Sequence, residues 1–300
     1  MDEDITQTTN TNFDLIDQFY ILADYLKQRG LIKDAGVYKN DVSTFLLHVS
    51  HLKSYEFVQS FCKGKSVLDV GCNIGYGANI LSQVSKEVIA IDFDSKALDF
   101  ARDRFATHNI KFQHSEAQTL PYPDGSFDIV TSFQVIEHIK QSDIPLYINE
   151  IKRVLTGNGI AILTTPNRKL RLNPFEKPWN PEHFTEYSAK GLRKKLTKFF
   201  TRVEILGLRA EKWIEDVERD RIHKSFFKSY VVRPTKCILR LILPSLMNRL
   251  KAQNLASISE PSSTNADKVL KIEKKVSMTS FRFESDSLDR SLCLLTICRK

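Results

Sequence analysis

Three groups of residues have the types and spacing to do chemistry. The first is the run Val67-Leu68-Asp69-Val70-Gly71-Cys72-Asn73-Ile74-Gly75-Tyr76-Gly77. Its glycines let the backbone adopt positive φ and pass close to a ligand, and a helix starting there offers unpaired N–H groups. The second is Asp92, about 20 residues further on, where an acidic side chain at a strand end can accept from both hydroxyls of a ribose. The third is Glu137-His138 with the later His183. A histidine of ordinary pKa can exchange a proton near neutrality, and the same three residues have the donor atoms of a divalent metal site. A dinucleotide fingerprint starting at Gly71 would need glycine at 73 and 76. Asn73 and Tyr76 stand there instead, so the turn serves a different nucleotide-like ligand.

These residues need elements to hold them. Phe13–Arg29 has helical spacing of apolar residues and stops at Gly30, and Asp41–Phe61 reads as a second helix. A regular alternation follows: strands at Ser66–Val70, Val88–Asp92, Ile110–His114, Phe127–Ser132, Ile160–Thr165 and Val203–Leu208, and helices at Ala78–Val84, Ser95–Phe105, Ile144–Leu155 and Ser188–Phe199. Ser95 is the expected cap of its helix, with Ala97, Leu98, Ala101 and Phe105 on one face. Strand alternating with helix predicts an α/β, Rossmann-like, doubly wound sheet, mostly parallel and seven-stranded. Its ligands belong outside the carboxyl ends of strands one, two and four.

The pattern D-x-G-x-x-x-G-x-G at Asp69–Gly77 resembles motif I of class I S-adenosylmethionine-dependent methyltransferases. Further matches follow in order over roughly residues 48–208. They are Asp92, Glu116-Ala117, Asp124-Gly125-Ser126-Phe127-Asp128, Glu137-His138, Arg153–Gly159 and Thr165-Pro166-Asn167. Asn180–Tyr187 and His51–Phe57 resemble segments of bacterial methyltransferases of surface glycans and glycosylated metabolites. The resemblance implies S-adenosylmethionine as cofactor. It implies Asp69, Gly71, Cys72, Asn73, Gly75 and Gly77 around the methionine part, Asp92 on the ribose, Phe93, Glu116 and Ala117 about the adenine, and Gln134 nearby. It implies His138 as a base for the acceptor, with Glu137 and His183 beside it. The acceptor expected is a hydroxyl of a sugar in a glycan, glycolipid or glycosylated metabolite. Small-RNA 2′-O-methyltransferases show an E-x-x-E-H pattern with a later His and a divalent metal, which is one alternative. Here Gln134 replaces the first Glu, and hard cations prefer charged oxygens, so no metal is expected. A non-catalytic cofactor-binding or scaffold module is a second alternative, because Asn73 and Gln134 depart from the family pattern.

The net charge of +8 sits in one place: Arg221–Ser259 holds eight Lys and Arg and no Asp or Glu. Residues 221–251 interleave these with apolar side chains. They could face an anionic membrane, bind nucleic acid phosphates, or pack on the domain with solvated charges. The apolar Cys237–Met247 favours the membrane over a phosphate groove, and nucleic acid is not the expected partner. That run is too short to span a bilayer, and the acidic N-terminus is no secretory signal. Five cysteines without a Cys-x-x-Cys fit a cytoplasmic protein, peripheral at the inner membrane face if the membrane reading holds. The organisation expected is a disordered tail at 1–12, lid or entry helices at 13–63, a core at 64–208, a basic helical insertion at 209–285 and a last core strand at 286–300. Phe175 and Trp179 are read as anchors of a loop walling the acceptor pocket.

Overall fold

The computed structural model describes residues 15–29, 41–172, 176–178, 180–227, 272 and 275–300. The expected tail at 1–12, most of the basic segment, Phe175 and Trp179 lie outside the described residues.

The chain enters through α1 (Leu15–Gln28) and α2 (Val42–Cys62). Asp41 caps α2 by accepting from the N–H groups of Ser43 and Thr44. The core then runs β1 (Ser66–Val70), α3 (Tyr76–Ser82), β2 (Glu87–Asp92), α4 (Ser95–Phe105), β3 (Ile110–His114), β4 (Phe127–Phe133), α5 (Ile144–Val154) and β5 (Leu155–Pro166). A short α6 (Arg168–Arg171), α7 (Ala189–Leu196), β6 (Arg202–Ala210), α8 (Lys212–Phe227), β7 (Phe281–Glu284) and β8 (Cys293–Arg299) complete it.

The expected α/β architecture is present, and the strands lie in the order β3-β2-β1-β4-β5-β8-β6-β7. The sheet has eight strands among the described residues, not seven. The extra one, β7, pairs antiparallel with β6 inside the stretch expected to be a helical insertion. It is a four-residue edge strand whose Phe281 enters the core while Arg282 stays exposed. β8 runs antiparallel between β5 and β6. Order reverses between β1 and β4, which puts the switch-point crevice at their carboxyl ends.

Both faces of the sheet are covered. On one, α3 and α4 join β1–β3 through Leu81, Leu98, Ala101 and Val88. On the other, Tyr147, Ile148 and Ile151 of α5 and Leu192 of α7 pack on Val130, Leu163 and Leu294. The four apolar positions expected on α4 are all buried. Its cap is Asp94, not Ser95. The Asp94 carboxylate accepts from the N–H groups of Lys96 and Ala97, one residue earlier than the serine could. The same carboxylate pairs with Arg29 at 2.9 Å, tying α1 to the edge of the crevice. Cys62, Cys72, Cys293 and Cys298 are buried free thiols. Among the described residues no helix is long and apolar enough to cross a membrane.

Candidate functional site

A cavity of about 760 Å³ opens at the switch point. Gly71 and Asn73 line it after β1, Asp92, Phe93 and Asp94 after β2, Glu116 and Ala117 after β3, and Gln134, Val135 and His138 after β4. Tyr25 and Leu26 of α1 wall it from above.

The turn after β1 is built for close approach. The N–H groups of Gly71 and Cys72 both donate to the carbonyl of Ile91, at 2.8 and 2.9 Å, folding the turn back onto β2. Gly71 has φ +78°, and a Cβ there would stand 2.4 Å from Val135 Cγ2. Asn73 has φ +48°, a left-handed conformation that Asn adopts more readily than other non-glycine residues. The turn therefore survives without a glycine at that position.

Asp92 anchors the turn. One carboxylate oxygen accepts from the Asn73 N–H at 2.8 Å, the other from the Asp94 N–H at 3.0 Å. A carboxylate has about four lone-pair positions, so each oxygen keeps one for a ligand hydroxyl. Phe93, at the rim, exposes 76 % of its surface, an open aromatic face that suits stacking on a planar ring. These features fit a nucleoside carrying an amino-acid tail, and the cavity falls in the usual size range for ligand sites.

Four residues expected around the cofactor stand behind the cavity. Asp69 is fully buried. It accepts from the Thr131 hydroxyl at 2.7 Å and more distantly from Tyr55, because Asp69 and Thr131 are register partners of β1 and β4. Burial pushes its carboxyl up to about 7. Cys72 is a buried thiol. A Cβ on Gly75 would meet Ala101 and Phe112 at 2.8 Å, and one on Gly77 would meet the Tyr55 ring at 2.0 Å. These two glycines make room for packed side chains.

At the other end of the cavity a short 3-10 turn, Ile136–His138, follows β4. Gln134 has φ +57°, and its amide donates to the Thr164 hydroxyl at 3.1 Å. His138 reaches the wall, with Nδ1 3.1 Å from the Glu182 carbonyl. Burial, and then the neighbouring His183, lowers its pKa. Glu137 and His183 adjoin it but do not line the cavity. Glu137 is fully buried, and burial raises its carboxyl to about 8. His183 Nδ1 lies 3.0 Å from the Glu186 carboxylate, which pairs in turn with Arg171 at 3.3 Å. The structure thus brings Glu137, His138 and His183 together.

Tyr25, Leu26 and Val135 escaped the sequence reading. Tyr25 and Leu26 precede the glycine turn by more than 40 residues, and nothing local marks them. Val135 could have been found, since it follows the fourth strand, where ligands are expected.

Residues 68–163 match the family model of a methyltransferase domain. A probable S-adenosylmethionine-dependent methyltransferase of Mycobacterium tuberculosis is 35 % identical over 159 residues, 53 % of this chain and 57 % of that protein. A fatty-acid O-methyltransferase of Mycolicibacterium smegmatis is 29 % identical over 40 % of this chain and 43 % of that protein. The chain therefore spans about half the length of these relatives. A solved methyltransferase from Thermotoga maritima superposes with TM-score 0.53 at 12 % identity, over 94 % of this chain and 99 % of that one, which shows the fold. Fold, glycine turn and sequence likeness point the same way: residues 68–163 are similar to a methyltransferase domain, and the relatives they match include probable S-adenosylmethionine-dependent methyltransferases.

Proposed function

We propose that the protein transfers the methyl group of S-adenosylmethionine to a hydroxyl oxygen of a small-molecule acceptor, and that the acceptor is a sugar. The observation that carries this reading is a single cavity with the Gly71–Asn73 turn and Asp92 at one end and Gln134, His138 and Glu182 at the other. When bound, S-adenosylmethionine supplies a methyl group on a positively charged sulfur, open to a nucleophile approaching from the opposite side. The protein's part is alignment, which converts an encounter into an in-line displacement. Asp92 fixes the ribose, the backbone at Gly71 and Asn73 borders the amino-acid tail, and Phe93, Glu116 and Ala117 border the base. Gln134 and His138 border the acceptor oxygen, whose proton leaves to solvent water as the methyl–oxygen bond forms and the methyl–sulfur bond breaks, and α1 covers the cleft through Tyr25 and Leu26.

The amide, imidazole and carboxylate side chains of Gln134, His138 and Glu182 suit an acceptor with several hydroxyls better than a hydrocarbon tail. The test is transfer of labelled methyl from the donor to a panel of sugar glycosides, phenols and fatty acids. Label on a sugar hydroxyl supports the proposal. Label only on a carboxyl group would replace the sugar with a fatty-acid acceptor.

A further inference from the structure

Glu137, His138 and His183 have a geometry that donor binding does not require. The Thr165 hydroxyl donates to Glu137 Oε2 at 2.9 Å. Oε1 is equally buried and has no hydrogen-bond partner, an uncommon condition for a buried carboxylate oxygen. Each histidine has Nδ1 against an oxygen acceptor, the Glu182 carbonyl at 3.1 Å and the Glu186 carboxylate at 3.0 Å. A ring that donates through Nδ1 keeps its lone pair on Nε2. Metal-binding histidines are oriented in this way, by a carbonyl or carboxylate on the second nitrogen. The two rings meet edge to face, centroids 4.8 Å apart. One potential ligand atom from each of the three residues lies within 4.8 Å of those of the other two.

We propose that Glu137, His138 and His183 bind a divalent transition-metal ion of the zinc type. Two imidazoles and one carboxylate suit such an ion better than magnesium or calcium, which favour all-oxygen sets. Three protein ligands leave one position of a tetrahedral ion open, and His138 brings that position to the acceptor end of the cavity. Bonds of roughly 2.0–2.2 Å put tetrahedral ligand atoms about 3.3 Å apart, so atoms now up to 4.8 Å apart must close by up to about 1.5 Å. Side-chain movement suffices, because the backbones are already joined: the Phe184 and Thr185 N–H groups donate to the Glu137 carbonyl at 2.8 and 3.3 Å. The glutamine at 134 argued against a site for a hard cation. It is not needed here, since its amide is held by Thr164 outside the cluster. The ion's role, polarising the acceptor hydroxyl beside the methyl group, rests on the function proposed above, whereas its binding does not.

The experiment is calorimetric titration of the metal-stripped, tag-free full chain with Zn2+, repeated for Glu137→Gln and His183→Asn. Co2+ loading provides a visible absorption band as a second readout. Folding is checked by circular dichroism and by S-adenosylhomocysteine binding. The expected result is one equivalent of Zn2+, weakened at least roughly tenfold, about 1.4 kcal/mol, in each folded variant, with a Co2+ band of tetrahedral intensity that the variants lose. Equal Zn2+ affinity in the wild type and in Glu137→Gln would overturn the proposal, as would stoichiometric binding that leaves His138 and His183 unperturbed in nuclear magnetic resonance. If S-adenosylhomocysteine fails to bind while Zn2+ does, the methyl-donor reading falls and the metal site stands. The reverse outcome removes only the metal.

Discussion

Replacing Gly71 by alanine tests whether the cradle is shaped by steric exclusion. The added methyl would stand 2.4 Å from Val135 Cγ2, well inside the roughly 3.5–4.0 Å of an ordinary carbon contact. Residue 71 also has φ +78°, which costs an L-residue about 1–2 kcal/mol. Overpacking of this kind costs about 1–3 kcal/mol, so Gly71→Ala should destabilise the fold by about 2–5 kcal/mol and weaken the product S-adenosylhomocysteine. The two contributions can be separated. Val135→Ala removes Cγ2 and with it the clash, but leaves the backbone strain in place. The double variant Gly71→Ala/Val135→Ala should therefore recover about 1–3 kcal/mol relative to the sum of the single changes. Urea unfolding of the four proteins gives the stability cycle, and calorimetry with S-adenosylhomocysteine gives the binding cycle. A coupling within about 0.5 kcal/mol of zero would refute the steric argument, because Gly71 would then be required for its backbone alone.

Asp92→Ala removes the acceptor of two backbone N–H groups, and hydrogen bonds to a charged partner contribute about 1.5–3 kcal/mol each. It should lower the urea midpoint and weaken S-adenosylhomocysteine roughly tenfold or more, so unchanged affinity would contradict the ribose assignment. Arg153 ties the loop before β4 by pairing with Glu150 and Asp124 and donating to the Leu120 and Tyr122 carbonyls. Arg153→Ala should cost about 1–3 kcal/mol by unfolding, the lower end allowing for partial exposure, and no loss at all would show the network to be slack. Stability should also fall with acid. Burial, with His51 nearby, holds His48 down to about 3, and burial, with Arg221 beyond, holds His51 down to about 4. Both lie below the unfolded value of about 6.5, so the stability tied to these neutral rings is complete above about pH 6.5 and lost as pH falls toward 4 and then 3. Asp69 acts oppositely. Its value, raised to about 7, makes its contribution complete below about pH 4 and lost as pH rises through 7. His48→Phe should flatten the acid limb of a urea-midpoint profile, and an unaltered slope would show that His48 does not generate it.

Legibility followed locality. The glycine turn, Asn73 and Asp92 could be read because one strand end and the turn after it place them. Asn73 was the weak point of the pattern, and its left-handed backbone shows why asparagine stands there. What Gly75 and Gly77 face could not be read. Their spacing marks a turn, but Phe112 and Tyr55, whose rings occupy the missing Cβ positions, come from remote segments. The cap at Asp94 is legible to within one residue, since Asp94 and Ser95 are adjacent and either side chain can accept from a helix start. Phe281-Arg282-Phe283-Glu284 does alternate as a strand should, but four residues are too few to stand out after a long polar stretch. Glu137 and His183, 46 residues apart, meet only because the Glu137 carbonyl receives the backbone that follows His183. That pairing depends on chain path and has no periodic signature.

Donor binding is the central claim, and calorimetric titration of the full chain with S-adenosylmethionine and S-adenosylhomocysteine tests it most directly. One saturable site is expected for each, with both heats greatly reduced in Asp92→Ala. Absence of binding by the folded wild-type chain at millimolar ligand would contradict it.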